Sequence, residues 1–540
     1  MGEPAAYSDQ GKSNAYLIYI LDRREIPALH IRTQRWGAAV IGPLRVALLS
    51  QLRRMKETIM VSDVSLELSP IADVPVRSTG TTRLRGNLGV WQIVFMVTAA
   101  ASPLGVLGGT VIVGIGTGNG TGFPATYIVT GIALLLFAIG FTAMTPYVRT
   151  AGAFYAYIDK GLGRSIGLSA GLVALLSYIA VETGCYGLIG PGIDNLLQSW
   201  GFPSAPWWVY AFGVFAVVTY FGYRNIELSG KVLAVGLLAE VAICLVFDAV
   251  VIARGGDSGL STGIISYDQV FSGAPGVGIL FAILSFLGFE ATAVFRDEAR
   301  DPERTIKRAT YSSLILITVF YAVSSWALIT AVGDQNAVKI ATENSGTMLS
   351  DATHRYLGPI GFQAIQVLFV TSLFACILSF HNIVSRYVFV LSERNVFPKS
   401  LGVAHSRHYS PHRASIATSI VVAALVILGA ATNLDPINQF YTWLGGFSAV
   451  GVVLLYTLAS LAVVVFFARH REHTVGIWRG AIAPGLGFLT LAAFFGLVLQ
   501  NLKTLVGGSD PLAVTILALL IGAFVLGPIL AKLRPKLELE

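Results

Sequence analysis

Long apolar segments, separated by short polar ones, run through the chain from residue 88 onward. Twelve of them approach or exceed the about 20 residues that a membrane-spanning helix needs. The first six are Leu88–Gly116, Pro124–Thr145, Ile166–Leu197, Ala205–Phe221, Leu228–Ile252 and Val277–Phe295. The second six are Ala309–Val332, Ile360–Leu391, Ala414–Ala431, Phe440–Ala468, Ile482–Leu502 and Pro511–Leu530. The pattern predicts an all-α polytopic membrane protein with twelve transmembrane helices.

Composition agrees with this pattern and excludes a soluble fold. Of the 540 residues, 54% are hydrophobic and only 12% are charged, with a mean hydropathy of +0.69, whereas a soluble domain carries about 25% charged residues. Cys185, Cys244 and Cys376 all lie in apolar segments, as cysteines of a packed core do. No Cys/His spacing indicates a metal, and no motif indicates a cofactor.

The basic residues are unevenly distributed about the predicted membrane. If the N-terminus is cytoplasmic, only four of the 37 Lys and Arg residues fall in outer loops, namely Arg254, Lys339, Arg355 and Lys503. This bias predicts that both termini lie on the cytoplasmic side of the cell membrane. The net charge of +7 therefore reflects orientation in the lipid bilayer and does not indicate a nucleic-acid partner.

The chain before the first apolar segment is predicted to be a separate part. Residues 1–85 show neither a span nor a signal peptide. We expect a disordered cytoplasmic tail, or a start of translation at Met55 or Met60, and a lipid-contacting amphipathic tail is the alternative. Residues 86–535 form the predicted twelve-helix domain, and residues 536–540 form a short cytoplasmic end.

The first and the sixth apolar segments are interrupted. The interruption in the first segment consists of Ala101, Ser102, Pro103, Leu104 and Gly105. Proline and glycine weaken a helix, and the backbone groups freed in a membrane need a partner from protein, water or ligand. In the sixth segment, Gly288 and Glu290 stand inside an apolar run. Interruptions at matching places in two halves indicate a transporter's substrate site, although a simple proline kink would also explain the first one.

Three motifs carry a family resemblance. They are Gly288–Ala291 followed by Glu298–Ala309, Ala151–Tyr157 followed by Gly161 and Gly163, and Ser385–Tyr387 followed by Ser392–Pro398. Their order and spacing resemble the amino acid–polyamine–organocation superfamily of permeases over about Gly86 to Lys532. The chain departs from that family where Ser102-Pro103-Leu104 replaces the usual glycine-rich break.

The resemblance implies two inverted five-helix repeats, with discontinuous helices 1 and 6, followed by two C-terminal helices. It also implies a small-molecule substrate, an amino acid or related amine. The substrate carboxylate would meet the amides of Ser102–Gly105, because helix N-termini attract anions. Its ammonium would meet exposed carbonyls near the second interruption, at Leu284, Ser285, Phe286 and Leu287.

Glu240 lies in the middle of the fifth segment. By the resemblance, it takes the position of a lysine that is thought to replace a sodium ion in proton-coupled relatives. A buried carboxyl can load and release a proton, so we predict proton coupling through Glu240, and a structural glutamate is the alternative. If sodium is the coupling ion instead, Ser372 and Ser379 are candidate ligands. Asp248, nearer the outer end, is expected at the membrane interface.

Other polar residues in the apolar segments have two interpretations each. Glu290 is predicted to contact the substrate amine or form a gate, or else to cap the restarted helix. Tyr178, Glu182 and Tyr186 share one helix face, which by the resemblance borders the substrate cavity, and an aromatic packing stripe is the alternative. His381 is expected to be a packed residue rather than a proton relay.

These observations predict a secondary transporter that works by alternating access, with proton symport expected before exchange. A membrane sensor or channel with the same fold is the alternative class. Phe286, Phe289 and Trp443 are gate candidates, unless they serve only in packing. The chain lacks the GxxxxGK[ST] motif of ATP-driven pumps, and we expect no enzyme activity. No feature of the sequence indicates an oligomeric state.

Overall fold

The computed structural model describes residues 89–148, 153–224, 230–290, 292, 299–393, 395–405, 410–470 and 475–533. The predicted tail 1–85 and the C-terminal end 536–540 lie outside these ranges. Helices make up nearly all of the regular structure that is described. This agrees with the physics of a bilayer, where a helix satisfies every backbone hydrogen bond within one segment.

Eight helices make up the first part of the described chain. They are α1 (Val90–Ala100), α2 (103–119), α3 (Phe123–Met144), α4 (Ala153–Leu162), α5 (Arg164–Ser199), α6 (Trp207–Arg224), α7 (Gly230–Arg254) and α8 (Pro275–Ser285). The second part contains α9 (Pro302–Val332), α10 (Asp334–Glu343), α11 (Met348–Glu393), α12 (His412–Ala431), α13 (Thr442–Arg469), α14 (Ala483–Gln500) and α15 (Asp510–Leu533). Shorter turns connect them.

Nine helical stretches within the described ranges are long and apolar enough to cross a membrane, with α2 and α3 counted as one stretch. The helix α8 is apolar but shorter, because the chain stops being helical before Gly288. The all-α membrane fold predicted from the sequence is therefore confirmed. The count of twelve spans and the inverted repeat stay predictions.

Burial separates central helices from peripheral ones. In its most apolar stretch, α5 is 89% buried, whereas α15 is only 28% buried and α7 and α14 are 33% buried. The helix α5 packs against α4, α6, α11, α13 and α15. Apolar side chains remain exposed on the peripheral helices, for example Val235 at 69% and Leu489 at 64%, as expected for surfaces that face lipid.

Candidate transport site

A cavity lies between the two interruptions and holds about 370 Å³ of space unoccupied by atoms, its open mouth included. Its lining comes from the break between α1 and α2, from α2, α5 and α11, from the end of α8 and the residues after it, and from the turn before α13. The lining residues are Ala101, Ser102, Gly105, Val106, Thr110, Val181, Cys185, Leu188, Leu284, Leu287, Leu373, Cys376, Phe380 and Tyr441. None of them is charged, and their polar groups are few. The lining therefore suits the apolar part of a ligand.

The first interruption is built around Ser102. This residue has left-handed backbone angles, with φ 53° and ψ 74°, a conformation that costs about 1–2 kcal/mol for a residue other than glycine. Pro103 then begins α2. A Cβ atom on Gly105 would collide with the Ser102 hydroxyl and the Leu373 side chain. Glycine at 105 therefore allows α11 and the Ser102 side chain to approach the start of α2.

Glu240 reaches this interruption from α7, and it is only 6% exposed. Its Oε2 atom accepts a hydrogen bond of 2.7 Å from the Ser372 hydroxyl and a longer one of 3.4 Å from the backbone N–H of Leu104. The Ser372 hydroxyl also lies 2.8 Å from that of Ser102. A carboxylate is thus placed at the N-terminus of α2, where unpaired amides favour negative charge.

The second interruption follows α8, where Gly288 adopts φ 110°. Glu290 is 2% exposed there, and its Oε2 accepts a hydrogen bond of 2.9 Å from the backbone N–H of Gly288. Tyr178 donates to Oε1 at 2.7 Å, and Tyr456 donates to Oε2 at 3.3 Å. Both carboxylate oxygens therefore have partners close by, and one partner belongs to the interruption itself.

Glu182 forms a third buried polar group, between α5, α11 and α12. Its Oε1 lies 2.8 Å from Nδ1 of His381, whose Nε2 lies 2.9 Å from the Ser415 hydroxyl. The other oxygen of Glu182 is buried and has no hydrogen-bond partner among the described residues. A Cβ atom on Gly222 of α6 would collide with the His381 ring. The pair therefore joins four helices at a closely packed point.

Five of the residues predicted for the substrate site line this cavity: Ala101, Ser102, Gly105, Leu284 and Leu287. The others lie in or beside the two interruptions or elsewhere on α5: Pro103, Leu104, Ser285, Phe286, Gly288, Glu290, Tyr178, Glu182 and Tyr186. On α5, the lining residues are Val181, Cys185 and Leu188, a face adjacent to the predicted stripe. The substrate-binding roles stay predictions.

Two of the gate candidates, Phe289 and Trp443, differ in their surroundings. Phe289 is fully buried and stacks on Tyr456, with ring centroids 5.4 Å apart and an angle of 24° between the planes. Its ring also lies 6.1 Å from that of Phe137. Trp443 is half-buried and packs against the apolar core.

Several lining residues were missed from the sequence, including Leu373, Cys376 and Phe380 on α11. They are spaced by three and four positions, as one face of a helix requires. The same spacing relates Val181, Cys185 and Leu188 on α5. This signal exists in the sequence, but it does not stand out, because the neighbouring faces of both helices are equally apolar.

The apolar helices, the cavity between two interruptions and the buried carboxylates define an integral membrane protein built around an internal site. The family model described as "Amino acid permease" matches residues 92–531. The chain therefore belongs to the amino acid permease family, and it is a membrane transporter rather than an enzyme. The resemblance recognised from the sequence motifs is confirmed.

Curated relatives match most of the chain at low identity. The chain is 25% identical to the low-affinity putrescine importer PlaP of Escherichia coli over 77% of this chain and 90% of PlaP. It is 24% identical to the branched-chain amino acid permease BcaP of Bacillus subtilis, over 79% and 90% of the two chains. It is 23% identical to the serine/threonine exchanger SteT of Bacillus subtilis, over 68% and 80%.

Proposed function

We propose that this protein is a secondary transporter that carries an amino acid or related amine across the cytoplasmic membrane by alternating access, coupled to proton symport. Its family membership and its relatives support transport of this class of substrate. The proposal includes twelve spans, two inverted five-helix repeats and cytoplasmic termini. The interruptions at Ser102 and Gly288 correspond to the discontinuous helices of such a repeat.

One contact carries the proposal of proton coupling, namely that of Glu240 with the Leu104 amide and the Ser372 hydroxyl. When charged, the carboxylate holds α7 to the start of α2 and to α11. A proton on Glu240 removes the charge that these donors favour, so the interruption loosens. Proton binding on α7 is thereby linked to the geometry of the backbone that would bind the substrate.

The cavity favours an amino acid with an aliphatic side chain. Its lining has no carboxylate, so a second ammonium group, as in a diamine, would be desolvated without a partner. The backbone at the two interruptions would bind the carboxylate and the single ammonium of the amino acid. BcaP, a branched-chain amino acid permease, is one relative whose name agrees with this lining. Phe289 and Trp443 are proposed as gates at this site.

Two other transport mechanisms, exchange and sodium-coupled symport, also have support. Exchange is favoured by the similarity to SteT, a serine/threonine exchanger. Sodium coupling is favoured by the hydroxyl and carboxylate oxygens of Ser102, Ser372 and Glu240, which lie close together and are of the ligand type that hard cations prefer.

Purified protein in liposomes separates these functions, with labelled L-leucine and putrescine as probes. We expect L-leucine to accumulate when an inward proton gradient is imposed, without a sodium gradient, and to show counterflow when no gradient is present. Putrescine should do neither. Counterflow without gradient-driven accumulation would identify an exchanger, and accumulation driven only by sodium would identify sodium symport. Absence of carrier-type flux for every amino acid and amine supplied would indicate a sensor or channel.

A further inference from the structure

A second carboxylate is buried on α7, at Asp248, although the sequence suggested that this residue lies at the membrane interface. It is 3% exposed, and its Oδ2 accepts a hydrogen bond of 2.7 Å from the Ser324 hydroxyl on α9. Its Oδ1 is buried and has no partner among the residues that the structure describes. Asp248 follows Glu240 by two helical turns, so both lie on the same face of α7, about 12 Å apart along its axis.

The helix α9 places a second unpaired group in the seam between α7 and α9. Tyr321 lies one turn before Ser324, is 1% exposed, and its hydroxyl has no described partner. This hydroxyl lies within electrostatic range of Glu240 and Cys244. On α9, Ser324 therefore contacts Asp248, while Tyr321 lies near Glu240 and Cys244 of α7 and against Tyr127 of α3.

Two buried polar atoms without partners in one seam need a physical explanation, because such atoms are rare and are commonly bonded to internal water. Substrate does not provide it, since neither Asp248 nor Tyr321 lines the cavity between the interruptions. Nor is Asp248 paired with a described cation. A carboxyl group placed this way either carries a proton or exchanges one with water in the seam.

The titratable groups around Asp248 come from few elements. The helix α7 packs against α1, α2, α9 and α11, and α1 and α2 contain no titratable residue. Near Asp248 on the facing surfaces lie Cys244 and, against the neighbouring Phe247, Tyr356. The titratable groups near Tyr321 are Tyr127, Glu240, Cys244 and Cys376. Beyond the end of α7, Arg254 and Arg355 lie over the Tyr356 ring, and Arg355 pairs with Asp257.

We infer that Asp248 is a proton-binding relay site that connects the Arg254 end of α7 to Glu240, with Tyr321 and water in the seam completing the path. The inference rests on the proposed role of Glu240 in proton coupling. At each step, one O–H bond forms on the acceptor as one breaks on the donor. Tyr321 releases its proton toward Glu240 as it accepts another from the side of Asp248, so no group is consumed.

The test is infrared difference spectroscopy of the purified protein after a pH jump, with the proton itself as the probe. The carboxyl band that wild-type protein shows and Glu240→Gln lacks is assigned to Glu240. In Asp248→Asn, which keeps an acceptor for Ser324, we expect the change of this band to slow by at least about tenfold. Tyr321→Phe, which removes only the hydroxyl, should slow it less. The control Asp268→Asn, the same change at an exposed acid, should leave the rate unchanged.

An unchanged rate in Asp248→Asn would overturn the relay while leaving proton coupling through Glu240 intact. If wild-type protein shows no band that depends on Glu240, the proposed coupling residue itself is wrong, and the relay is wrong with it. A merely structural role of Asp248 would lower the melting temperature of Asp248→Asn without slowing the Glu240 band, and that result also contradicts the inference.

Discussion

Each of the two interruptions has a buried carboxylate against its backbone, but the two carboxylates come from different parts of the chain. Glu290 lies two residues after Gly288, binds its amide, and is bonded by Tyr178 and Tyr456 as well. Glu240 comes from a different helix, 136 residues away in sequence from the Leu104 amide that it meets. A carboxylate that bonds an amide of its own segment stays with that segment, even where hydroxyls of other helices bond to it. A carboxylate held by another helix can part from it when the helices move.

This difference suggests that Glu290 keeps the second interruption in shape and that Glu240 switches the first. Donors surround Glu290 on both oxygens, so its removal leaves several buried groups unpaired. Glu240 has two described hydrogen-bond donors, fewer than Glu290, and the bond from the Leu104 amide is long at 3.4 Å. Variants at these positions can therefore separate a structural carboxylate from a functional one.

The largest effect is expected from Glu290→Ala. Loss of the carboxylate leaves the Tyr178 and Tyr456 hydroxyls and the Gly288 amide without an acceptor, at a cost of about 1–3 kcal/mol for each buried group. In thermal unfolding of purified protein, Glu290→Ala should lose more stability than the Ser372 and Ser102 variants described below, and it should also lose transport. Glu290→Gln, which keeps one acceptor oxygen, should lose less. Wild-type stability in Glu290→Ala would show that the second interruption does not depend on this carboxylate.

An intermediate effect is expected from Ser372→Ala. This change removes the short hydrogen bond to Glu240 and the contact with Ser102, at a cost of about 0.5–3 kcal/mol. Thermal unfolding measures the loss of stability, and the pH profile of uptake should differ from that of wild type. Ser392→Ala on the same helix is the matched control, because Ser392 is also buried and its hydroxyl bonds to the Val388 carbonyl of its own helix. An identical pH profile would argue against coupling through Ser372.

The smallest effect is expected from Ser102→Gly. Glycine removes the left-handed strain of about 1–2 kcal/mol, while loss of the hydroxyl removes a hydrogen bond worth about 1 kcal/mol. We expect the free energy of unfolding to stay within about 1 kcal/mol of wild type. A larger loss of stability would mean that the Ser102–Ser372 contact, rather than the backbone conformation, holds the first interruption together.

The interruptions could be located from sequence because proline and glycine act locally. Pro103, Gly105 and Gly288 weaken a helix wherever the rest of the chain lies. The membrane fold was equally accessible, because the apolar segments have the length that a bilayer requires. The neighbours of Glu240 were not accessible in this way, since its contact with Leu104 depends on how distant helices pack.

The lining of the cavity shows the same limit on what could be predicted from the sequence. On α5 the sequence suggested Tyr178, Glu182 and Tyr186, because polar atoms mark a face that can be recognised. The structure turns the neighbouring face toward the cavity, with Cys185 and Leu188, while Glu182 bonds to His381. Hydrophobicity does not distinguish two faces of a helix that is buried on all sides, so the rotation of α5 had to come from its packing.

The most direct measurement is a comparison of two activities in Glu240→Gln, reconstituted in liposomes beside wild-type protein and the exposed-site control Glu343→Gln. Glutamine keeps the shape of the side chain but cannot carry a charge that responds to pH. The account predicts that Glu240→Gln retains counterflow of labelled substrate and loses accumulation driven by the proton gradient, while the control retains both. Undiminished gradient-driven accumulation in Glu240→Gln would contradict it.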